Sequence, residues 1–277
     1  MVVSSPAVSI RDLSFSQKHR VHQLRGINLR IAPSQVSCLL GPNGSGKTTL
    51  LRCLLGLLPI TAGQIEVEGQ PLLQLSARER ARLVAYVPQS AATTFPFTTL
   101  EIAVMGRTPH LAPGRTPGPR EWAVAEDALA QLGIEHLAGQ SFSSLSGGQR
   151  ALALLARALV QQSPVMVLDE PTAALDLGNA TKVLDVAFRF AREGRTVIMT
   201  THQPEHALWI ADQVALMVDG ELTATGHPRE VLTEELLSTT YGTPICLGSA
   251  TTTAGETIPT CLPSLQELTK IGRKSYV

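Results

Sequence analysis

The sequence predicts an α/β fold: a core with a mostly parallel sheet, an antiparallel β subdomain and an inserted α-helical subdomain. Three observations predict it. Apolar strand-like runs alternate with helical patterns along most of the chain, the order that places helices on the faces of a parallel sheet. A glycine-rich loop, Gly41-Pro42-Asn43-Gly44-Ser45-Gly46-Lys47-Thr48-Thr49, stands between the apolar run Val36–Leu40 and the helical stretch Leu50–Leu55. From about residue 90 to about residue 160 the texture turns helical, and then the alternation returns.

Each element has its own signal. Ala7 to Phe15 alternates apolar and polar residues (Val8, Ile10, Leu13) and reads as a strand, and Ile27 to Ile31 alternates more cleanly, as an exposed antiparallel strand does. Gly63 to Gly69 is another alternating strand between glycines. Ser76 and Glu79 form a capping-box pattern that opens a short helix, and Leu83 to Gln89 reads as a buried strand running into a loop. Thr98 and Glu101 repeat the capping pattern and open a helix through Met105. Arg107 to Arg120, rich in Pro, Gly and Arg, reads as a surface loop, and Ala123 to Leu132 has helical apolar spacing. Leu145-Ser146-Gly147-Gly148-Gln149 leads into a strong helix over Ala151–Val160. Val165 to Glu170 is an apolar strand ending in two acids, Leu175–Glu193 is helical, and Thr196–Thr200 is a strand ending at Thr201-His202-Gln203. Pro204–Ala211 reads as a short helix and Gln213–Val218 as a strand; Ile245–Leu247 and Thr260–Leu262 could pair as a hairpin.

Composition sets bounds. With 277 residues the chain can bury a full core. Lys plus Arg and Asp plus Glu balance at 23 each, so no charge excess points to nucleic acid or to an anionic membrane surface. No apolar run approaches the ~20 residues needed to span a bilayer. Met1 to Pro6 lacks a basic region followed by an apolar one, so no signal peptide is expected. Cys38, Cys53, Cys246 and Cys261 are scattered, without the close spacing of a zinc site, and a reducing setting is expected.

The chemistry is carried by phosphate-binding features. The glycines let the loop curl until several N–H groups point at one centre, a nest that suits an anion, and the following helix adds its dipole. In such a P-loop Lys47 reaches the β- and γ-phosphates and the Thr48 hydroxyl binds Mg²⁺. Asp169, at a strand end, offers the hard oxygen that Mg²⁺ prefers, and Glu170 could accept a proton from water. Two adjacent acids at the end of an apolar strand are costly to bury without such a role. Gln89 also ends a strand, and its amide can bind metal or water; a His202 imidazole can donate to a γ-phosphate. Ser146 to Gln149 is itself a capping-box pattern, so its helix N-terminus is a second start able to face an anion.

Gly41–Thr48, Gln89, Leu145–Gln149, Val165–Glu170 with Pro171-Thr172, Ala174-Leu175-Asp176 and His202 occur in the order found in ABC-transporter ATPase subunits, and the chain resembles that family from about residue 8 to residue 240. The resemblance implies a P-loop NTPase core with ATP and Mg²⁺ as ligands, the metal held by Thr48, Gln89 and Asp169. It implies a head-to-tail dimer with a second copy of the chain, in which the P-loop of one subunit faces Ser146, Gly147, Gly148 and Gln149 of the other. Glu170 is then the general base, His202 a γ-phosphate contact, and Asp176 part of a loop coupling the two sites. The family usually stacks an aromatic residue on adenine; where Tyr is expected this chain has Gln17, so the resemblance implies either stacking by Phe15 or His19 or a weaker stacking. The implied domains are an ATPase domain over residues 1–240, with the helical subdomain inserted at about 90–160, and a C-terminal extension over 241–277. Thr99-Leu100-Glu101, Met105–His110 and Thr200–Pro204 are similar to importers of iron-siderophore, haem or vitamin B12. Such an importer implies a separate integral membrane permease, a substrate-binding protein as indirect partner, no nucleic acid, and residence on the cytoplasmic face of the cell membrane. The alternatives are an exporter subunit and a soluble ABC ATPase outside transport.

Overall fold

The computed structural model of the protein describes residues 5–17, 20–89, 95–173 and 175–264. β1 (Val8–Gln17) and β2 (Arg20–Ile31) form an antiparallel hairpin with Val8 opposite Ile31 and Ile10 opposite Leu29. β3 (Val36–Leu40) feeds through the glycine loop into α1 (Lys47–Leu54). β4 (Ala62–Val67) and the short β5 (Gln70–Pro71) complete an antiparallel sheet of order β2-β1-β4-β5. α2 (Ala77–Leu83) leads into β6 (Val84–Val87). The inserted helices are α3 (Thr99–Val104), α4 (Pro119–Gln131) and α5 (Gly147–Gln161). There follow β7 (Val165–Asp169), α6 (Leu177–Arg192), β8 (Thr196–Thr201), α7 (Pro204–Ile210) and β9 (Gln213–Val218). The chain continues through β10 (Glu221–Gly226), α8 (Pro228–Val231), α9 (Glu234–Tyr241) and the hairpin β11 (Ile245–Thr251) and β12 (Thr257–Pro263).

The second sheet has the order β10-β9-β3-β8-β7-β6, parallel from β9 to β6 with β10 antiparallel at the edge. Its central strands β3, β7 and β8 are buried on both faces, which is why they read as unbroken apolar runs. Leu39, Val167, Ile198 and Met217 point to α1 and the antiparallel sheet, within one core. Cys38, Leu168, Met199 and Leu216 point the other way, into a core shared with α5 and α6. The strand ends are aligned: Leu40 pairs with Thr201, and Asp169 with Thr200. The glycine loop, Asp169 and His202 therefore meet along one edge, at the carboxyl ends of β3, β7 and β8, where open α/β sheets bind ligands.

Several expectations need correction. Arg107–Arg120 is not all surface loop. Met105–His110 forms a 3₁₀ helix and Arg107 is buried, its guanidinium donating to Val160 O and Gln162 Oε1. A Cβ on Gly106 would stand 2.1 Å from Arg157 O, so only glycine lets this turn lie against α5. α4 begins at Pro119, four residues before the apolar spacing does, because Pro suits the first helical turn and Glu121 caps the Gly118 N–H. The C-terminal hairpin forms and is longer than the apolar triplets that signal it. Cys246 pairs with Leu262, and Cys261 with Leu247, so the two cysteines lie on opposite faces of the ribbon and both are free thiols. The hairpin is held to α7 by Trp209 Nε1 donating to Pro259 O at 2.9 Å and by Glu205 Oε1 accepting the Cys261 N–H at 3.2 Å. Among the described residues no helix is long and apolar enough to cross a membrane.

Candidate active site

A cleft of about 850 Å³ opens where the aligned strand ends meet α1. Its walls include Asn43, Gly44, Gly46, Lys47, Thr48 and Thr49 from the loop, Gln89 after β6, and Glu170 after β7. The loop takes its shape from glycine: Gly41, Gly44 and Gly46 have φ of 151°, 83° and 106°, and a Cβ on Gly41 would strike Met217 O at 2.1 Å. Pro42 O and the Ser45 N–H close the turn at 3.3 Å. Ser45 Oγ is buried without a hydrogen-bond partner among the described residues. An orphaned hydroxyl beside left-handed glycines at a helix N-terminus is what a phosphate-binding nest presents.

Lys47 is buried, yet its ammonium donates to Gly41 O at 2.7 Å and Pro42 O at 3.0 Å, with Glu170 Oε1 3.8 Å away. Burial lowers its pKa, while the Glu170 and Asp169 carboxylates pull it back up. Asp169 is held on three sides. Thr48 donates to Oδ1 at 3.1 Å, Thr200 donates to Oδ1 at 2.8 Å, and the Tyr86 hydroxyl approaches Oδ2 at 3.4 Å. Burial, with Asp169 alongside, pushes the Tyr86 phenol up to about 12, so it stays a neutral donor. Glu170 leaves the strand with φ 45°, a left-handed conformation that costs a non-glycine residue roughly 1–3 kcal/mol. That turn brings its carboxylate to Gln89 Nε2 at 3.0 Å and to His202 Nδ1 at 3.6 Å.

The residues fit a magnesium ion: Thr48 and Asp169 bring hard oxygens within 3.1 Å of each other at the cleft, with Gln89 on the same wall. Among the described residues no group of three or more His, Cys, Asp or Glu side chains is arranged to hold a metal ion by itself.

Ser146, Gly147, Gly148 and Gln149 start α5 and do not line this cleft, although Gly147 lines a smaller neighbouring pocket together with Gln89 and Glu170. The Ser146 hydroxyl accepts the Gln149 N–H at 3.2 Å and Gln149 Oε1 accepts the Ser146 N–H at 2.9 Å, so the capping box read from sequence forms. Asp176 caps α6, accepting the Asn179 N–H at 2.8 Å and Asn179 Nδ2 at 2.8 Å. A Cβ on Gly148 would lie 2.9 Å from that Asn179 amide, so the two helix starts touch through the glycine.

Phe15 is a correction. It is 4% exposed, pairs with Leu24 across the hairpin, and belongs to the core with Leu13. A ring packed inward cannot offer its face to a base. Leu13 and Phe15 are two apart on a strand and so share a face, the signal that could have shown it. His19 and Ala174 lie outside the described residues. Sequence reasoning also missed Gln23, Arg25, Asp219 and Gly220, which line the cleft beside the loop. The Asp219-Gly220 turn is tied in by the Gly220 N–H donating to Ser45 O at 2.9 Å, and Arg25 is pinned by Asp219 O at 2.9 Å and Glu221 at 3.1 Å. An Asp-Gly pair between the apolar run Val214–Val218 and the alternating stretch Glu221–Gly226 was the available signal.

A family model described as "ABC transporter" matches residues 24–173. A protein named hemin import ATP-binding protein HmuV from Nocardia farcinica is 42% identical over 219 residues, 79% of this chain and 75% of that one. Its namesake from Streptomyces coelicolor is 43% identical over 222 residues, 80% of this chain and 79% of that one. A solved structure described as a metal-chelate type ABC transporter in an inward-facing conformation superposes with a TM-score of 0.84 at 32% identity, covering 95% of this chain and 99% of that one.

Proposed function

The chain belongs to the ABC transporter family, and from that premise we propose that it is the ATP-hydrolysing subunit of an importer that takes up a metal chelate through a separate permease. The observation that carries the ATPase chemistry is the meeting of Lys47, Thr48, Glu170 and Gln89 in one cleft, with Asp169 bonded to Thr48 behind it and the two acids held by Thr200, Thr48 and Lys47. The importer reading and the place of haem among the candidate cargoes, beside iron-siderophores and cobalamin, rest on the hemin-import relatives.

In this reading the loop N–H groups and Lys47 bind the β- and γ-phosphates of ATP, the ammonium leaving Gly41 O and Pro42 O for the phosphate oxygens. Thr48, Asp169 and Gln89 would hold Mg²⁺, which would neutralise charge on the phosphates. Glu170 accepts the proton of the attacking water, and Gln89 and His202, 3.0 and 3.6 Å from its Oε2, orient it. His202 donates to the γ-phosphate. The α5 start of a second copy, Ser146 to Gln149, covers the γ-phosphate from outside, and Asp176 couples that start to the strand carrying Glu170. Closure of the dimer on ATP and its reopening after hydrolysis drive the permease between two states. The subunit sits on the cytoplasmic face of the membrane, held there by the permease.

The test is purification of tagged Glu170→Gln protein with ATP from detergent-solubilised membranes, with partners identified by mass spectrometry. A polytopic permease is expected. Recovery with soluble partners only would overturn the importer reading and leave the ATPase chemistry standing.

A further inference from the structure

We propose that Thr200 is a positioning residue for hydrolysis, a buried hydroxyl that fixes both acids of the site through one oxygen; the inference rests on the ATPase reading above. Thr200 stands opposite Asp169 in the β7–β8 ladder and is fully buried. Its Oγ1 donates to Asp169 Oδ1 at 2.8 Å and accepts the Glu170 N–H at 2.8 Å. One hydroxyl carries one proton and two lone pairs, and here both capacities are used, one on each acid.

Both bonds act where geometry is least secure. Glu170 is left-handed at φ 45°, and its N–H is paired with this side-chain oxygen. Without that acceptor the N–H is a buried donor in need of a partner, and the backbone that aims the carboxylate can relax toward an ordinary conformation. Asp169 Oδ1 receives Thr200 from within the sheet and Thr48 from the loop, so Thr200 sets the carboxylate against which Thr48 is held. Thr200 also lies two residues before His202, which follows directly on the last residue of β8, Thr201, so one residue ties the strand that leads into His202 to both acids. It does not line the cleft, so it acts through Asp169 and Glu170 and touches no ligand.

Elsewhere β8 presents Val197, Ile198 and Met199 to the cores. Valine has the shape of threonine without the hydroxyl, so Thr200→Val removes the two bonds and keeps the packing. In the 277-residue chain Thr200→Val is expected to lower kcat for ATP ~10–100-fold, the scale of an ångström misplacement at a reacting centre. The dissociation constant for ATP should stay within ~2-fold, because no contact to bound nucleotide is removed. Thr200→Ser, which keeps the hydroxyl, should recover kcat to within ~3-fold of wild type, the rescue a purely space-filling role would not give. If Thr200→Val does not fold, Thr200→Ala replaces it and the Ala-to-Ser ratio of kcat is read instead. Wild-type kcat in Thr200→Val, or losses in affinity and kcat that serine does not restore, would overturn the proposal. A wild-type chain that binds and turns over no ATP would overturn the ATPase reading and this inference with it.

Discussion

The chain builds two helix starts for anions from the same backbone physics, and only one of them is complete. At α1 the N-terminus is joined by a buried Lys47 and by Thr48, Asp169 and Glu170, all reached by aligned strand ends. At α5 the N-terminus has its capping box and Gly148, but Ser146 and Gly147 are exposed and line no part of the cleft. A helix N-terminus attracts an anion with a fraction of a charge, worth ~0.3–1 kcal/mol at the surface, too little to hold a triphosphate alone. The difference teaches that α1 has the makings of a site on its own, whereas α5 needs what the proposed second copy would bring to it.

The largest effect should come from the base at the complete start. Glu170→Gln keeps size and hydrogen bonding and loses the proton acceptor, so turnover should fall ~10²–10⁴-fold while ATP binding persists. ATP-bound dimer should accumulate in size-exclusion chromatography; turnover near wild type would remove Glu170 from the base role. Ser146→Arg strikes the incomplete start. It should abolish turnover and leave ATP binding by the isolated chain intact, because Ser146 is outside the cleft. Mixed with Lys47→Ala subunits it should regain activity from one intact composite site. No regain, under conditions where mixed dimers are shown to form, would break the comparison by making α5 irrelevant to a partner's nucleotide.

Much of this was legible in the sequence, for a physical reason. Gly41–Thr49, Asp169-Glu170 and Ser146–Gln149 are contiguous, and their function needs residues at fixed short spacing, so the one-dimensional pattern carries them. Thr200 was invisible because a threonine inside a β-branched strand reads as sheet propensity; its role exists only through a partner 31 positions away. Arg25 and Asp219 meet across 194 positions, and no local rule predicts that. Strand β10 and helices α8 and α9 went unread because their alternation is half-exposed and their helices short.

Phe15 sharpens the boundary between site and scaffold. Resemblance assigns it to the nucleotide, and burial assigns it to the core beneath the site. Phe15→Ala should therefore cost ~3–5 kcal/mol of stability, the range for emptying a buried aromatic position. ATP affinity measured well below the lowered melting temperature should be unchanged. A several-fold rise in the dissociation constant with an unaltered melting temperature would return the ring to the base.

The smallest effect concerns the joint between the two starts. The segment from Glu170 to Asp176 is braced at Thr172, whose hydroxyl lies 3.3 Å from His206 Nδ1 on α7. Burial lowers the His206 pKa, and the neighbouring His202 lowers it further. The folded state thus holds His206 neutral, while the unfolded chain takes its proton near 6.5. A base with a depressed folded pKa contributes its full stability above the unfolded value and loses it as pH falls toward the folded one. Between about pH 7.5 and about pH 5.5 the unfolding midpoint should therefore fall more steeply for wild type than for His206→Gln, by no more than one proton's slope. Hydrogen exchange should show the extra opening at Thr172 and the α6 start before it reaches the glycine loop, since Asp176 and Asn179 hang on the braced segment while Lys47 is anchored within its own loop. Equal slopes in the two proteins would mean that the brace does not titrate. Opening that began at the glycine loop would mean that the complete start, with its buried ammonium, is the weaker of the two.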